Sequence, residues 1–412
     1  MFGLVGEKLS HSYSKLIHNE FGRYNYELFP VEKDKFSDFI KSKSYDGLNV
    51  TIPYKKAVMP FCNELSDAAK AIGSVNTVKV KKDGSLFGDN TDYYGFLYLA
   101  ERTGIDFKNK KVLVLGSGGT SLTVCKAVSD KGGNPIVISR TGKDNYENIS
   151  KHFDADIIVN TTPVGMFPNT ETAPVNISGF KSLCGVLDVI YNPMRTRIVQ
   201  QAQERNINAS CGLPMLVAQA AKSCEIFSDT VLETDIIEKV ILKLQKQIQN
   251  IVLIGMPGSG KSTIGKMISK KLDMKFVDID LEIVNREGKS ILEIFDESGE
   301  KGFRIIEKDV TAEISKKGGQ VISAGGGTPL FEENIKNLRQ NSLVVYLLRD
   351  IAKLPTDGRP LSQNQNLFKM LKERLPYYLK CADITVDNNA NPQSCVKKIL
   401  EAYDENPCDK RS

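Results

Sequence analysis

The stretch "IGMPGSGKSTIG", residues 254–265, places Gly255-x-x-x-x-Gly260-Lys261-Ser262 between an apolar run and a helical pattern. A loop of this kind wraps a triphosphate with main-chain N–H groups, offsets its charge with the lysine and offers a hydroxyl oxygen to Mg²⁺. Gly258, Ser259, Gly260, Lys261, Ser262 and Thr263 are therefore expected to hold ATP. The loop alone leaves open whether water or a metabolite receives the phosphate. Outward from it, "NIVLIG", "KFVDID", "QVISAGGG", "LVVYLL" and "DITVDN" alternate with helical patterns. That alternation predicts an α/β domain with a parallel sheet, beginning near residue 248.

The side chains around the loop narrow the acceptor. Asp278 and Asp280 in "FVDID" are expected on one face of an extended segment. One carboxylate then serves the magnesium shell beside Ser262, and the other receives or orients a substrate hydroxyl. Arg304, Arg359 and Arg374 supply planar guanidinium forks that match a carboxylate or a phosphate, and Gly325 to Gly327 expose backbone. A small acid bearing hydroxyls suits this set better than a nucleotide or protein acceptor.

A second glycine-rich turn, "LGSGGTSL", lies upstream at residues 115–122. Gly116, Gly118 and Gly119 follow the apolar run "KVLVL" and precede a helical pattern, as expected where a pyrophosphate meets a helix N-terminus. Ser121 stands at the third glycine of the usual G-x-G-x-x-G pattern. The next apolar run ends in Ser139-Arg140-Thr141, with no carboxylate to hold a ribose 2′-hydroxyl. An arginine there suits a 2′-phosphate, hence NADP(H). Hydride transfer to a carbonyl also needs a proton donor, for which Lys55 in "NVTIPYKK" and Asp92 in "GDNTD" are candidates. In isolation they read only as an exposed lysine and a helix cap. Short polar groups in "SHSYS", "NVT" and "VNT" could grip a polyhydroxylated acid.

Composition agrees with two such catalytic halves. At 412 residues the chain is too long for one ordinary core. A net charge of +5 with no long basic run argues against nucleic acid and suits small anionic substrates. The 8 cysteines are scattered without C-x-x-C or zinc-like spacing. The N-terminus lacks a signal-peptide pattern and no apolar run is long enough to span a membrane, so a cytoplasmic location and no membrane partner are expected. Nothing indicates an oligomer.

The motifs "SHSYSKLIHN", "GLNVTIPYK", "VNTV", "GDNTD", "GSGGT", "SRT", "NTTPVGM" and "GLPMLVAQA" occur in that order, and the segment they cover resembles shikimate dehydrogenase. The resemblance implies a catalytic pair Lys55 and Asp92 acting on 3-dehydroshikimate. It implies substrate contacts from Ser12, Ser14, Asn49, Thr51, Asn76, Tyr191 and Gln219, and an NADP site made by Gly116, Ser117, Gly118, Gly119, Thr120, Ser139, Arg140, Thr141, Val189 and Gly212. Ser139 stands where the family often has Asn, and Lys143 is the nearest second basic residue. Close analogues, quinate or NAD, stay open as alternatives.

Downstream, "GMPGSGKST", "FVDIDLEI", "GEKGFRIIE", "SAGGGTP", "VVYL", "GRPL" and "ERLPYY" resemble shikimate kinase. The resemblance implies that Asp280, Arg304, Gly326 and Arg374 bind shikimate, with Asp280 also the candidate base. Ser262 and Asp278 would hold magnesium, and Arg359 would come from a lid. The lid stretch "LRDIAKLPTDGRPL" is shorter than the family's usual span and lacks its preceding arginine, for which Arg349 is the nearest substitute. Weaker ATP binding or uncoupled ATP hydrolysis is the expected consequence.

The expected fold class is therefore α/β throughout: a dehydrogenase-type substrate domain over 1–101 with returning helices at about 213–245, a Rossmann-like NADP domain over 102–212, and a P-loop domain of the nucleoside-monophosphate-kinase kind over 248–412. NADP(H), ATP and Mg²⁺ are the implied cofactors.

Overall fold

The computed structural model describes residues 1–9, 12–233, 235–354 and 367–405. Three sheets organise the chain. The first contains β1 (Phe2–Gly6), β2 (Tyr26–Pro30), β3 (Gly47–Val50), β4 (Glu64–Leu65), β5 (Thr77–Val80) and β6 (Leu86–Asp89), ordered β2-β1-β3-β5-β6-β4. Pairing is parallel except where β5 lies antiparallel to β3 and β6. β5 and β6 are joined by a tight turn through Lys82-Asp83-Gly84, with Gly84 at φ 79°. Helices α1 (Ser14–Phe21), α2 (Phe36–Ser42), α3 (Asp67–Ile72) and α4 (Asp92–Arg102) accompany these strands.

The second sheet is parallel throughout. It comprises β7 (Lys111–Leu115), β8 (Asn134–Ile138), β9 (Ile157–Asn160), β10 (Gly185–Asp188) and β11 (Asn208–Ser210), ordered β11-β10-β9-β7-β8. Interior strands such as β9 are buried at every position, because helices cover both faces, whereas edge strand β8 is half-exposed. Strand order reverses between β7 and β9, and in open α/β sheets ligands bind at that crevice. Here it holds Gly116 directly beyond β7, with α5 (Gly119–Asp130) behind it. The chain continues through α6 (Arg197–Glu204) and α7 (Leu213–Ser228). The returning helices expected at about 213–245 are two: residues 229–233 and 235 are not helical, and α8 spans Ile236–Ile248. Asp229 takes a left-handed φ of 54° and closes α7.

The third sheet, again all parallel, has β12 (Asn250–Ile254), β13 (Lys275–Asp278), β14 (Gln320–Ser323), β15 (Ser342–Leu348) and β16 (Ile384–Asp387) in the order β13-β14-β12-β15-β16. Alternate residues of β12 enter two different cores: Val252 and Ile254 pack with Ile283, Phe303 and Tyr346, while Ile251 and Leu253 pack with Ile264, Ile268 and Val396. The period-2 alternation of a strand thus fills both sides of the sheet. The flanking helices are α9 (Lys261–Leu272), α10 (Ile279–Glu287), α11 (Ile291–Lys316), α12 (Glu332–Arg339), α13 (Leu367–Cys381) and α14 (Pro392–Glu405). α11 opens with a capping box between Ser290 and Glu293 and breaks at Gly299, whose φ of 66° only glycine adopts readily.

The described chain divides into two compact units. One holds residues 1–164, 173–191 and 201–243; the other holds 165–172, 192–200 and 244–412. Inside the second, the buried Arg195 guanidinium meets the Asp383 carboxylate at 3.0 and 3.2 Å. No described helix is long and apolar enough to cross a membrane.

Candidate active sites

In the first unit a cavity of about 560 Å³ gathers side chains from widely separated places in the sequence. Ser12 and Ser14 come from the start of α1, Asn49 and Thr51 from the end of β3, Asn76 from just before β5, and Asp92 from the first turn of α4. Lys55, Thr120, Val189, Tyr191, Gly212 and Gln219 complete the wall. Lys55 Nζ donates to Asp92 Oδ2 at 2.6 Å, and both side chains keep some exposure to the cavity, 27 % and 15 %. The couple expected from separate motifs is therefore formed. Asp92 also sits at the positive end of α4, where a carboxylate is favoured.

Asn76 is held by its carbonyl oxygen, which accepts from Thr91 N at 2.7 Å and from the Thr77 hydroxyl at 3.1 Å, with Thr91 Oγ1 3.2 Å away. Asn49 differs from expectation. It borders the cavity, yet its amide is spent inside the protein, donating to Asn76 O, Thr77 and Ser223 and accepting from Tyr26. Tyr191 packs edge-on against Tyr13, and burial pushes its phenol above the usual range, so it stays a neutral donor. Lys8 and Met215 also line the cavity, and the sequence did not single them out. Lys8 carries no motif of its own; Met215 was hidden in an apolar helix.

Val189 and Gly212 touch so closely that a Cβ on Gly212 would lie 2.0 Å from the Val189 carbonyl oxygen, so only glycine fits. Gly116, at φ 106°, presses against Thr161 at the strand-order reversal. A Cβ at Gly118 or Gly119 would meet nothing, which leaves open backbone at the uncapped N-terminus of α5. Such a cradle fits a pyrophosphate. Ser117 lies between these glycines. Ser139, Arg140 and Thr141 do not line the cavity but adjoin the same turn, through Gly116 N donating to Ile138 O at 2.8 Å. Arg140 is exposed and makes no ion pair among the described residues; the nearest acid in sequence, Asp144, is engaged by His152 at 3.0 Å. The residues present fit NADP(H).

The second unit builds its site around three consecutive glycines. Gly325 lies beneath Asp280, Gly326 beneath Arg374 and Pro257, and Gly327 beneath Arg304; added Cβ atoms would approach Asp280 Oδ1 to 2.8 Å, Arg374 Nη1 to 3.2 Å and Arg304 Nη2 to 2.8 Å. This floor gathers the predicted carboxylate and two of the predicted arginines in one place. Arg304 is oriented by Glu307 at 2.8 Å and flanked by the rings of Phe303 and Phe331. The buried Glu307 in turn accepts from Thr328 at 2.8 Å. Sequence reading passed over Glu307, although its i,i+3 spacing from Arg304 on a helix was a usable signal. Arg359 lies outside the described residues.

Asp278 and Asp280 do not share the face of an extended segment. β13 ends at Asp278, which caps α10 by accepting from Asp280 N at 3.2 Å, so Asp280 stands in the first helical turn. Helix capping by aspartate prevailed over strand alternation. Burial first, then the charges of Asp278 and Glu307, push Asp280 up to about 6, against the pull of Lys261 and Arg304. A carboxylate tuned this way is a stronger base than an ordinary one and remains ionised at neutral pH.

The loop above these groups has Gly255, Gly258 and Gly260 at positive φ, the strained turn that aims N–H groups inward. Lys261 Nζ donates to the carbonyls of Gly255 and Met256 at 3.0 and 3.1 Å. Ser262 Oγ donates to Asp278 Oδ2 at 3.0 Å and lies 3.4 Å from Ser323 Oγ. A few hard oxygens, with room for water and phosphate oxygens, suit Mg²⁺. Thr263 follows in the first turn of α9. Ser259 O accepts from Asn388 at 2.7 Å, and Arg349 Nη1 lies 3.6 Å from where a Cβ on Gly260 would stand.

Comparison with known proteins agrees with both sites. Residues 257–404 match the family model for shikimate kinase, and residues 4–78 match that for the shikimate dehydrogenase substrate binding domain. A shikimate dehydrogenase (NADP(+)) of Clostridium perfringens is 36 % identical over 267 residues, 60 % of this chain and 98 % of that protein. The corresponding protein of Clostridium beijerinckii is 39 % identical over 253 residues, 56 % and 93 % of the two chains. Among solved structures, a chorismate mutase/shikimate 5-dehydrogenase fusion protein from Clostridium acetobutylicum aligns with a TM-score of 0.57 at 36 % identity, covering 59 % of this chain and 96 % of that one. Shikimate 5-dehydrogenase from Thermus thermophilus in complex with NADP(H) and shikimate aligns with a TM-score of 0.54 at 28 % identity, covering 59 % and 98 %. A cavity closed by a lysine–aspartate couple beside a dinucleotide turn, and a triphosphate loop over a glycine floor, therefore sit where these matches lie: the chain belongs to the shikimate dehydrogenase family and carries a shikimate kinase domain in the same polypeptide.

Proposed function

We propose that the chain reduces 3-dehydroshikimate to shikimate with NADPH and then phosphorylates the 3-hydroxyl of shikimate with MgATP. Support comes from one observation made twice: in each unit a nucleotide loop adjoins a pocket of groups that recognise hydroxyls and a carboxylate. In the first, Ser12, Ser14, Thr51, Asn76, Tyr191 and Gln219 hold the substrate, and Asn49 forms part of the same wall, braced from within. NADPH supplies the hydride. Lys55, held in place by Asp92, delivers a proton to the carbonyl oxygen as the alcohol forms. Gly116 to Thr120 receive the pyrophosphate, Ser139 to Thr141 the 2′-phosphate, and Val189 and Gly212 border the nicotinamide.

In the second unit, Arg304 and Arg374 fix the shikimate carboxylate over Gly326. Asp280 takes the proton of the attacking hydroxyl, and Lys261 offsets charge on the transferring group, with Arg359 added from the lid. Ser262 and Asp278 would hold magnesium, which would offset the negative charge of the triphosphate. The cytoplasm, with its NADPH and ATP, is the proposed compartment, and small metabolites are the proposed partners.

A coupled assay tests the whole reading. Full-length protein given 3-dehydroshikimate, NADPH and MgATP should yield shikimate 3-phosphate; NADPH oxidation without phosphoester, or neither, refutes it. Parallel reactions with quinate and with NAD should be slower.

Two further expectations concern the kinase unit. Arg349, beside Gly260, is placed to meet the nucleotide. Arg349→Ala should raise the KM for ATP about tenfold, one lost charge-assisted contact, and leave the KM for shikimate unchanged. Asp280 concerns stability. Its folded pKa is raised, so its contribution favours folding at low pH and is lost as pH climbs through about 6. In magnesium-free buffer at pH 8, Asp280→Asn should therefore stabilise the unit by roughly 2 kcal/mol, on the order of 5 °C, while abolishing phosphorylation. The stability gain should shrink toward zero between pH 6 and pH 4, as followed by thermal melts.

A further inference from the structure

Behind the polar wall of the dehydrogenase cavity lies a layer of side chains that does not open to it. Its centre is Ser223, one turn beyond Gln219 on α7 and fully buried. Ser223 Oγ lies 2.8 Å from Asn49 Nδ2, 2.8 Å from Thr77 Oγ1, 3.0 Å from Thr91 Oγ1 and 3.0 Å from the Gln219 carbonyl oxygen. A hydroxyl has one proton and two lone pairs. Donation to the Gln219 carbonyl leaves both lone pairs for the Asn49 amide and one threonine hydroxyl. Asn49 cannot turn away, because its Oδ1 accepts from Tyr26 at 2.7 Å, and Tyr26 is itself stacked on His18 at 4.0 Å.

Three elements thus converge on one oxygen: β3 through Asn49, β5 through Thr77, and the start of α4 through Thr91. Thr91 directly precedes Asp92 and donates its backbone N–H to Asn76 Oδ1, to which the Thr77 hydroxyl also donates, so the Thr91 hydroxyl is the one that serves Ser223. Elsewhere α4 comes closest to the α7 backbone at Gly95. At Gly95 an added Cβ would lie 2.6 Å from Met215 O, a contact of bare backbone that has no directional preference of its own. Hydrogen bonds do have one, and they set the register between the two helices.

We propose that Ser223 is a positioning residue for ketone reduction: it pins α7 to β3 and the N-terminus of α4, beside β5, and so holds Gln219, Asn76 and Asp92 at the separations that the substrate requires. It touches neither substrate nor cofactor, and its role rests on the dehydrogenase activity proposed above. Misplacement of binding groups by a fraction of an ångström lowers turnover steeply, even when every reacting group is retained.

The test uses the full chain. Wild-type protein is first assayed for NADPH-dependent reduction of 3-dehydroshikimate; no turnover there refutes the dehydrogenase assignment rather than the role of Ser223. Given turnover, Ser223→Ala should lower kcat/KM for 3-dehydroshikimate about tenfold. The KM for NADPH should stay within about twofold, and kinase rate in the same sample should be unchanged, a split that general loosening would not produce. Thr91→Val should give a similar loss, and the double variant should lose no more than the worse single one, because both remove the same pin. The proposal is overturned if Ser223→Ala keeps kcat/KM within about twofold, if NADPH binding weakens equally, or if the two losses multiply. Should Ser223→Ala fail to fold, unchanged kcat/KM in Thr91→Val overturns it and a selective loss supports it.

Discussion

Lys55→Ala should lower 3-dehydroshikimate reduction about a thousandfold, within the range that a positioned acid or base contributes. The reduced carbonyl oxygen must acquire a proton as hydride arrives, and Lys55 Nζ is the acid that the cavity presents, 2.6 Å from Asp92. Alanine leaves Asp92 as an unpaired carboxylate facing the developing alkoxide, so the variant loses a donor and gains a repulsion. The effect should fall on kcat more than on KM, because Ser12, Ser14, Thr51, Asn76 and Gln219 still grip the ring. Shikimate phosphorylation by the same protein should be unaltered, which also shows that the chain has folded. Steady-state rates for both reactions check this; retention of a tenth or more of the reductase rate would falsify the acid role.

Lys261→Ala is the converse experiment, and phosphoryl transfer should drop at least about a thousandfold. Lys261 is buried and held by the carbonyls of Gly255 and Met256, so its ammonium group is preorganised where phosphate charge accumulates. Little reorganisation is then needed at the moment of reaction. ATP binding should weaken less than turnover, because the loop N–H groups remain. Reductase rate should be intact. Loss of both reactions from either lysine change, in folded protein, would show that the two sites depend on each other.

Much of the fold was legible because its signals are local. Beyond their first residues, Lys111 and Asn250, "KVLVL" and "NIVLI" are uniformly apolar, as expected of a strand covered on both faces, and both are interior strands of parallel sheets. The triphosphate loop was equally plain, since its glycines are needed for positive φ at 255, 258 and 260. Asp280 shows the limit. Alternation along "FVDID" predicted two carboxylates on one strand face, but Asp278 captures the N–H of residue 280 and starts a helix there. Asn49 shows another: a polar residue beside a pocket looks the same in sequence whether it faces the ligand or braces the wall.

By itself the sequence determined the chemistry available to this protein: which loops can hold phosphates, which ammonium and carboxylate groups can move a proton, and how many strands can be covered on both sides. Those properties follow from residue type and short spacing. Only the tertiary structure decided which groups meet, since Lys55 and Asp92, or Asn49 and Ser223, are distant in the chain and are joined by sheet order and helix packing. It also decided how strongly Asp280 holds its proton, because burial and the neighbouring charges of Asp278 and Glu307 exist only once the chain has closed around them.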